Sequence, residues 1–204
     1  MIELKHVCSV SHSKLKPAWC MAVLLGVWLI LARPALATDF RLEQGISLLL
    51  KDHMQSSSLV APLKLPEAYR FSSLMLTTSG YGLKAGVVER RQAYVLRFYA
   101  NRGSGPGDSI ELNVDSDWKR AIKALPDDGF KGSCTERETS IPVTSASFIR
   151  APLWLCARQD IDSRGSVTMY YVSLRCAVGG ISGSAYVRNV RDVIEFARSI
   201  GETG

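Results

Sequence analysis

The chain has 204 residues, a formal net charge of +6 and no low-complexity segment or internal repeat. Half of that charge belongs to the first 37 residues, where Lys5, Lys14, Lys16 and Arg33 outnumber Glu3, so the remaining 167 residues carry only +3. A charge that small argues against a nucleic-acid partner, and the length suits one domain with a substantial core.

The N-terminus reads as an export signal. Its basic residues precede a charge-free run from Ala18 to Ala32. At about fifteen residues this is a signal-peptide core, short of the roughly twenty that span a bilayer. Pro34 is followed by Ala35-Leu36-Ala37, with small residues at the two positions a signal peptidase reads, which predicts cleavage before Thr38. The alternative is an uncleaved anchor holding the domain on the outer face of the membrane. Cys20 follows Trp19 near the start of the run, where a lipoprotein signal would place a small residue, so lipidation is not expected. Residues 38–204 are therefore expected to be a single exported domain, periplasmic or secreted, touching the membrane only through residues 1–37 if these are retained.

In chain order, Phe40–Met54 is predicted as a helix with Leu42, Ile46, Leu49 and His53 on one face and Leu50 beside them. Pro62–Pro66 reads as an extended connector. Strands are expected over Tyr69–Thr78, Leu83–Val88 and Ala93–Tyr99, the first two separated by a turn at Gly80-Tyr81-Gly82. Apolar residues on both faces of the third suggest a central strand. Arg102–Asp108 reads as a loop, followed by a strand in which Ile110, Leu112 and Val114 alternate with Glu111 and Asn113.

A short helix from Asp115 or Ser116 would bury Trp118, Ala121, Ile122 and Leu125, and residues 130–142 read as irregular. Val143–Gln159, with Pro152 as a kink or edge marker, and Val167–Val178 form a hairpin about a turn at Asp162-Ser163-Arg164-Gly165. After a turn at Gly179-Gly180, Ile181–Val187 returns as a strand. Asn189 caps a final helix with the stripe Val190, Val193, Phe196, Ala197 and Ile200, ended by Gly201. The fold class is α+β, a mostly antiparallel sheet of about six to eight strands packed on one face by two or three helices, the last of them C-terminal. This order of elements is similar to that of the α-β-α sandwiches of the PsbP and Mog1 type. The likeness rests on element order alone, so it carries over no site residue.

Three cysteines follow residue 37: Cys134, Cys156 and Cys176. Export predicts one disulfide and one remaining thiol, while spacings of about twenty residues without a C-x-x-C fit neither a zinc site nor a redox motif. A two-residue turn at Ser163-Arg164 would set Cys176 opposite Ala151 and Cys156 opposite Tyr171. That offset forbids a Cys156–Cys176 bond and favours Cys134–Cys176 over Cys134–Cys156.

The chemistry is sparse. His53 is the single histidine beyond residue 37, so neither a multi-histidine metal site nor an H-E-x-x-H motif is present and no metal or cofactor is expected. Gly180-Ile181-Ser182-Gly183 is one residue short of a nucleophile elbow and leads into a strand. His53 could serve Cys156 or a serine as a base, although its place in an apolar stripe suits packing better. Arg90, Arg91, Arg97 and Arg102 cluster on or beside one strand and could meet an anionic surface, with Tyr94, Tyr99 and Trp154 as further surface candidates. The expected function is a non-enzymatic binding or accessory module for a protein or anionic component of the cell envelope, such as an inhibitor, an immunity-type protein or a complex subunit. A cysteine or serine hydrolase using His53 and a membrane-tethered subunit are the alternatives.

Overall fold

The computed structural model describes residues 37–84, 87–101, 107–119, 134–143, 153–176 and 180–204. Its main sheet is built from β4 (Arg70–Lys84), β5 (Val87–Ala100), β6 (Asp108–Asp115), β7 (Thr139–Val143), β8 (Leu153–Ile161), β9 (Val167–Cys176) and β10 (Ile181–Val187). These seven strands are all antiparallel, in the order β4-β5-β6-β10-β9-β8-β7. Two small pairings flank it: β1 (Thr38–Asp39) with β3 (Lys64–Leu65), and β2 (Leu59–Pro62) with β11 (Ile200–Thr203). The helices are α1 (Gln44–Met54) and α2 (Val190–Arg198). The fold is thus α+β with a C-terminal helix, as the hydrophobic patterning implies.

Strand periodicity decides which residues form the core. Tyr94, Leu96 and Phe98 of β5 lie opposite Val114, Leu112 and Ile110 of β6, and the same face continues through Ile181 and Ala185, Val172 and Leu174, and Leu153 and Leu155. All are buried in one cluster with Leu50 and Met54 of α1 and Val193, Phe196 and Ala197 of α2. Both helices therefore cover the same face, and the described residues do not build the two-sided sandwich that the element order resembles. Trp118 joins this cluster, while Ala121, Ile122 and Leu125 of the predicted short helix lie outside the described residues. At the middle of β10, a Cβ on Gly183 would come within 2.2 Å of the Glu111 carbonyl oxygen, so only glycine lets β6 approach this closely.

Several expectations change. Helix α1 starts at Gln44, because Thr38–Asp39 pairs with β3 and the Phe40 N–H donates to the Leu63 carbonyl. Its inward face centres on Leu50 and Met54, which leaves Leu49 50 % exposed and His53 half-buried. The helix carries two overlapping apolar stripes that share Ile46, and packing selects the one ending in Met54 over the one ending in a polar imidazole. Gln55 in the left-handed region (φ 49°) closes the helix, with the Ser56 N–H returning to the Lys51 carbonyl. The predicted connector Pro62–Pro66 takes in the last residue of β2 and the whole of β3. Gly80-Tyr81-Gly82 lies within β4, so two long strands replace the three predicted ones. The predicted irregular segment contains all of β7 but Val143, and residues 144–152, including Pro152, lie outside the described ones.

At the C-terminus Asn189 caps α2 as expected, its side chain accepting from the Arg191 N–H. Gly201 does not end the helix. Ser199 does, its hydroxyl donating to the Lys64 and Phe196 carbonyls, and the chain leaves as β11 because β2 offers it an unpaired edge.

One buried side chain ties that small sheet to the large one. The Tyr94 hydroxyl donates to the Val60 carbonyl at 2.6 Å and accepts from the Val60 N–H at 2.8 Å. Burial raises its phenol well above the ordinary value, against the weaker opposing pull of the bond to Val60. Tyr94→Phe strands both backbone groups of Val60 and should cost about 1–3 kcal/mol in chemical denaturation. An unchanged midpoint would show that β2 does not depend on this anchor.

Candidate functional site

Among the described residues, the hydrogen-bond partners of His53 are two backbone carbonyls. Its Nε2–H donates to the carbonyls of Ala93 (3.1 Å) and Thr77 (3.3 Å). These residues are partners across β4 and β5, and their side chains point to the face away from the helices. The backbone there is bare on the helix side, and the imidazole covers it. Cys156 lies on β8, four strands from β5, roughly 19 Å at ~4.8 Å per strand. Its sulfur is bonded to Cys134, with Cα atoms 5.4 Å apart. Cys156 therefore carries no free thiol for His53 to activate, and the cysteine-hydrolase reading falls.

The same bond corrects the expected Cys134–Cys176 pairing. The Arg164 and Ser166 N–H groups both donate to the Asp162 carboxylate, holding its pKa below the usual range, and Gly165 takes φ 81°. The Gly165 N–H donates to the Asp162 carbonyl, a type I turn closed by a left-handed glycine in place of a two-residue turn. With a further bulge at Asp160/Ile161 this moves the register by two, setting Cys176 opposite Leu153 and Cys156 opposite Ser173. On its other side Cys156 faces Ser140 of β7, and a turn in which the Glu138 N–H donates to the Thr135 carbonyl brings Cys134 back over it. Cys134, Glu138 and Cys156 converge closely, but with both sulfurs in the bridge they offer no thiolate to a metal.

The arginine cluster is not a row of free cations. Arg97 pairs with Glu111, directly opposite on β6, at 2.8 Å, and Arg91 with Asp117 at 2.7 Å. Arg102 and the side chain of Arg90 lie outside the described residues. Tyr94 belongs to the core.

Trp154, one of the expected surface aromatics, joins residues that sequence reading passed over to make a different surface. On the sheet face away from the helices, Trp154 lies opposite Arg175, Arg158 opposite Tyr171, and Tyr171 opposite Tyr186. The Arg158 guanidinium sits 5.5 Å from the Tyr171 ring centre, and Tyr171 is 37 % exposed. The Tyr186 hydroxyl donates to Asp160 across β9, and that bond is the main reason its phenol pKa is raised. The only sequence-level signal was the period-2 placement of these side chains opposite the core residues of β8, β9 and β10.

On the helix side a cleft of about 550 Å³ runs between α1 and the two small sheets, lined by Phe40, Leu42 and Leu63 and by charges of both signs, Arg41, Lys51 and Glu202. It holds neither a histidine nor a cysteine. No family model, no curated protein and no solved structure matches the chain.

Proposed function

We propose that the domain is a non-enzymatic binding module of the cell envelope that holds a protein or anionic partner on the face of β8, β9 and β10 that points away from the helices. The observation that carries this reading is the juxtaposition of Trp154, Arg158, Tyr171, Arg175 and Tyr186 on one sheet face, where Arg158 and Tyr171 are exposed. Aromatic and guanidinium side chains are the types enriched where interfaces bind most strongly. The setting fits as well. A disulfide is the mark of an oxidising compartment, and no helix among the described residues is long and apolar enough to cross a membrane.

The test is capture of the partner from the native envelope by tagged protein, comparing wild type with the double variant Arg158→Ala/Tyr171→Ala. Both side chains are exposed, so the fold should be unaffected, and retention should fall at least about tenfold, the loss of roughly 1.4 kcal/mol or more. Equal retention by the variant would move the binding site elsewhere. N-terminal sequencing of the protein the cell accumulates decides between a chain starting at Thr38 and a tethered one.

A further inference from the structure

The two edges of the large sheet differ in a way that points to a partner. Strand β7 is five residues long and carries Pro142, both common ways of blunting an edge. Strand β4 is fifteen residues long and has no proline and no charge between Arg70 and Lys84. Ser72, Ser73, Met75, Leu76 and Thr78 are exposed, Met75 at 43 % and Leu76 at 38 %.

The ladder shows which backbone groups this edge offers. The Gln92 carbonyl accepts from the Ser116 N–H, so Gln92 bonds toward β6. Alternation gives Tyr94 and Leu96 the same direction and turns Ala93 and Val95 toward β4. Thr77 and Met75, their partners, bond back to β5, and Leu74, Leu76 and Thr78 point their N–H and C=O groups off the edge. None of these three has a backbone partner on that side among the described residues.

We infer that a second copy of the chain completes this edge, β4 pairing antiparallel with its own copy about a two-fold axis through Met75. The sequence Ser73-Leu74-Met75-Leu76-Thr77 reads hydroxyl, leucine, methionine, leucine, hydroxyl from either end. In this register Leu74 meets Leu76 in a hydrogen-bonded pair, as the outward N–H and C=O groups require, while Met75 meets Met75 and Ser73 meets Thr77. Like is set against like on both faces, with no charge opposed, which is the favourable cross-strand arrangement. Moving the axis to Leu76 would set Leu74 against Thr78 and Met75 against Thr77.

Helix α1 supports the same occupant. The exposed Leu49 precedes His53 by one turn on the same flank, and His53 sits over the seam of β4 and β5, bonding to the Thr77 and Ala93 carbonyls. Pairing joins the two sheets into one of fourteen strands. An unrelated extended peptide would use the same backbone groups but would not call for a palindromic strand.

Sedimentation of the purified full chain across the micromolar range should show a dimer. Met75→Lys sets two ammonium groups opposite each other at a Cα separation of ~4.5 Å and should weaken the dimer roughly 100-fold or more, with the melting temperature of the monomer retained. Met75→Cys should cross-link to itself under air, because ~4.5 Å lies within the Cα range a disulfide accepts. Thr78→Cys, six residues out of register with its copy, sits ~20 Å away and should not. A wild-type monomer throughout, a dimer indifferent to Met75→Lys, or equal cross-linking at both positions would each overturn the proposal. So would a monomer that instead binds an unrelated extended peptide along β4.

Discussion

Phe98→Ala should destabilise the domain by about 3–5 kcal/mol, the range for removing a fully buried aromatic side chain. Phe98 is 1 % exposed on β5, and three parts of the chain meet at its ring. Phe40 approaches it edge-on at 5.3 Å, Phe71 at 6.0 Å from the neighbouring strand, and Phe196 at 5.2 Å from α2. Each such pair contributes ~0.5–1.5 kcal/mol beyond its buried area, and alanine removes all three while opening a cavity that β5 and β6 are too constrained to close. For a domain of this size the loss corresponds to a fall in melting temperature on the order of 10 °C. Phe71→Ala, at a half-buried site on the edge strand, should cost less. A loss for Phe98→Ala no greater than for Phe71→Ala would mean that the N-terminal segment, the sheet and α2 do not converge on this ring.

That convergence shows what the sequence could and could not disclose. The alternation of Ile110, Leu112 and Val114, the stripe of Val193, Phe196 and Ala197, and the cap at Asn189 were legible because burial imposes a period and an unmet N–H group at a helix start requires an acceptor. These local rules fixed the fold class. Glycine at 80 and 82 suggested a turn, but a glycine can also sit in a long strand, and only pairing with the whole of β5 decides between the two. Strand β11 was invisible because its four residues are strand only by virtue of β2, which is 138 or more residues distant in sequence. The separation of two site candidates was illegible for a related reason. His53 and Cys156 were chosen by residue type, and their distance apart is set by a strand order in which β10 lies between β6 and β9. The face carrying Tyr171 and Arg158 could be assembled only once the register of β8, β9 and β10 was known.

Replacing both bridge cysteines, Cys134→Ala/Cys156→Ala, should lower stability by roughly 3 kcal/mol. The bond closes a loop with a sequence separation of 22, and a cross-link of that span removes roughly that much chain-entropy advantage from the unfolded state. Most of the loss should therefore appear as a shift in denaturation midpoint, about 6–12 °C on heating, with the native fold retained. Alanine is the informative replacement at Cys156, which is fully buried, since serine would add a buried hydroxyl to the cost. Reducing agent should bring the wild type close to the double variant and leave the double variant unchanged. Cys176→Ser supplies the opposing control, because its non-reduced peptide map should still contain the Cys134–Cys156 peptide. The outcome that sinks the assignment is a Cys176→Ser protein that loses its disulfide peptide, which would restore the two-residue turn and shift β9 by two positions along β8.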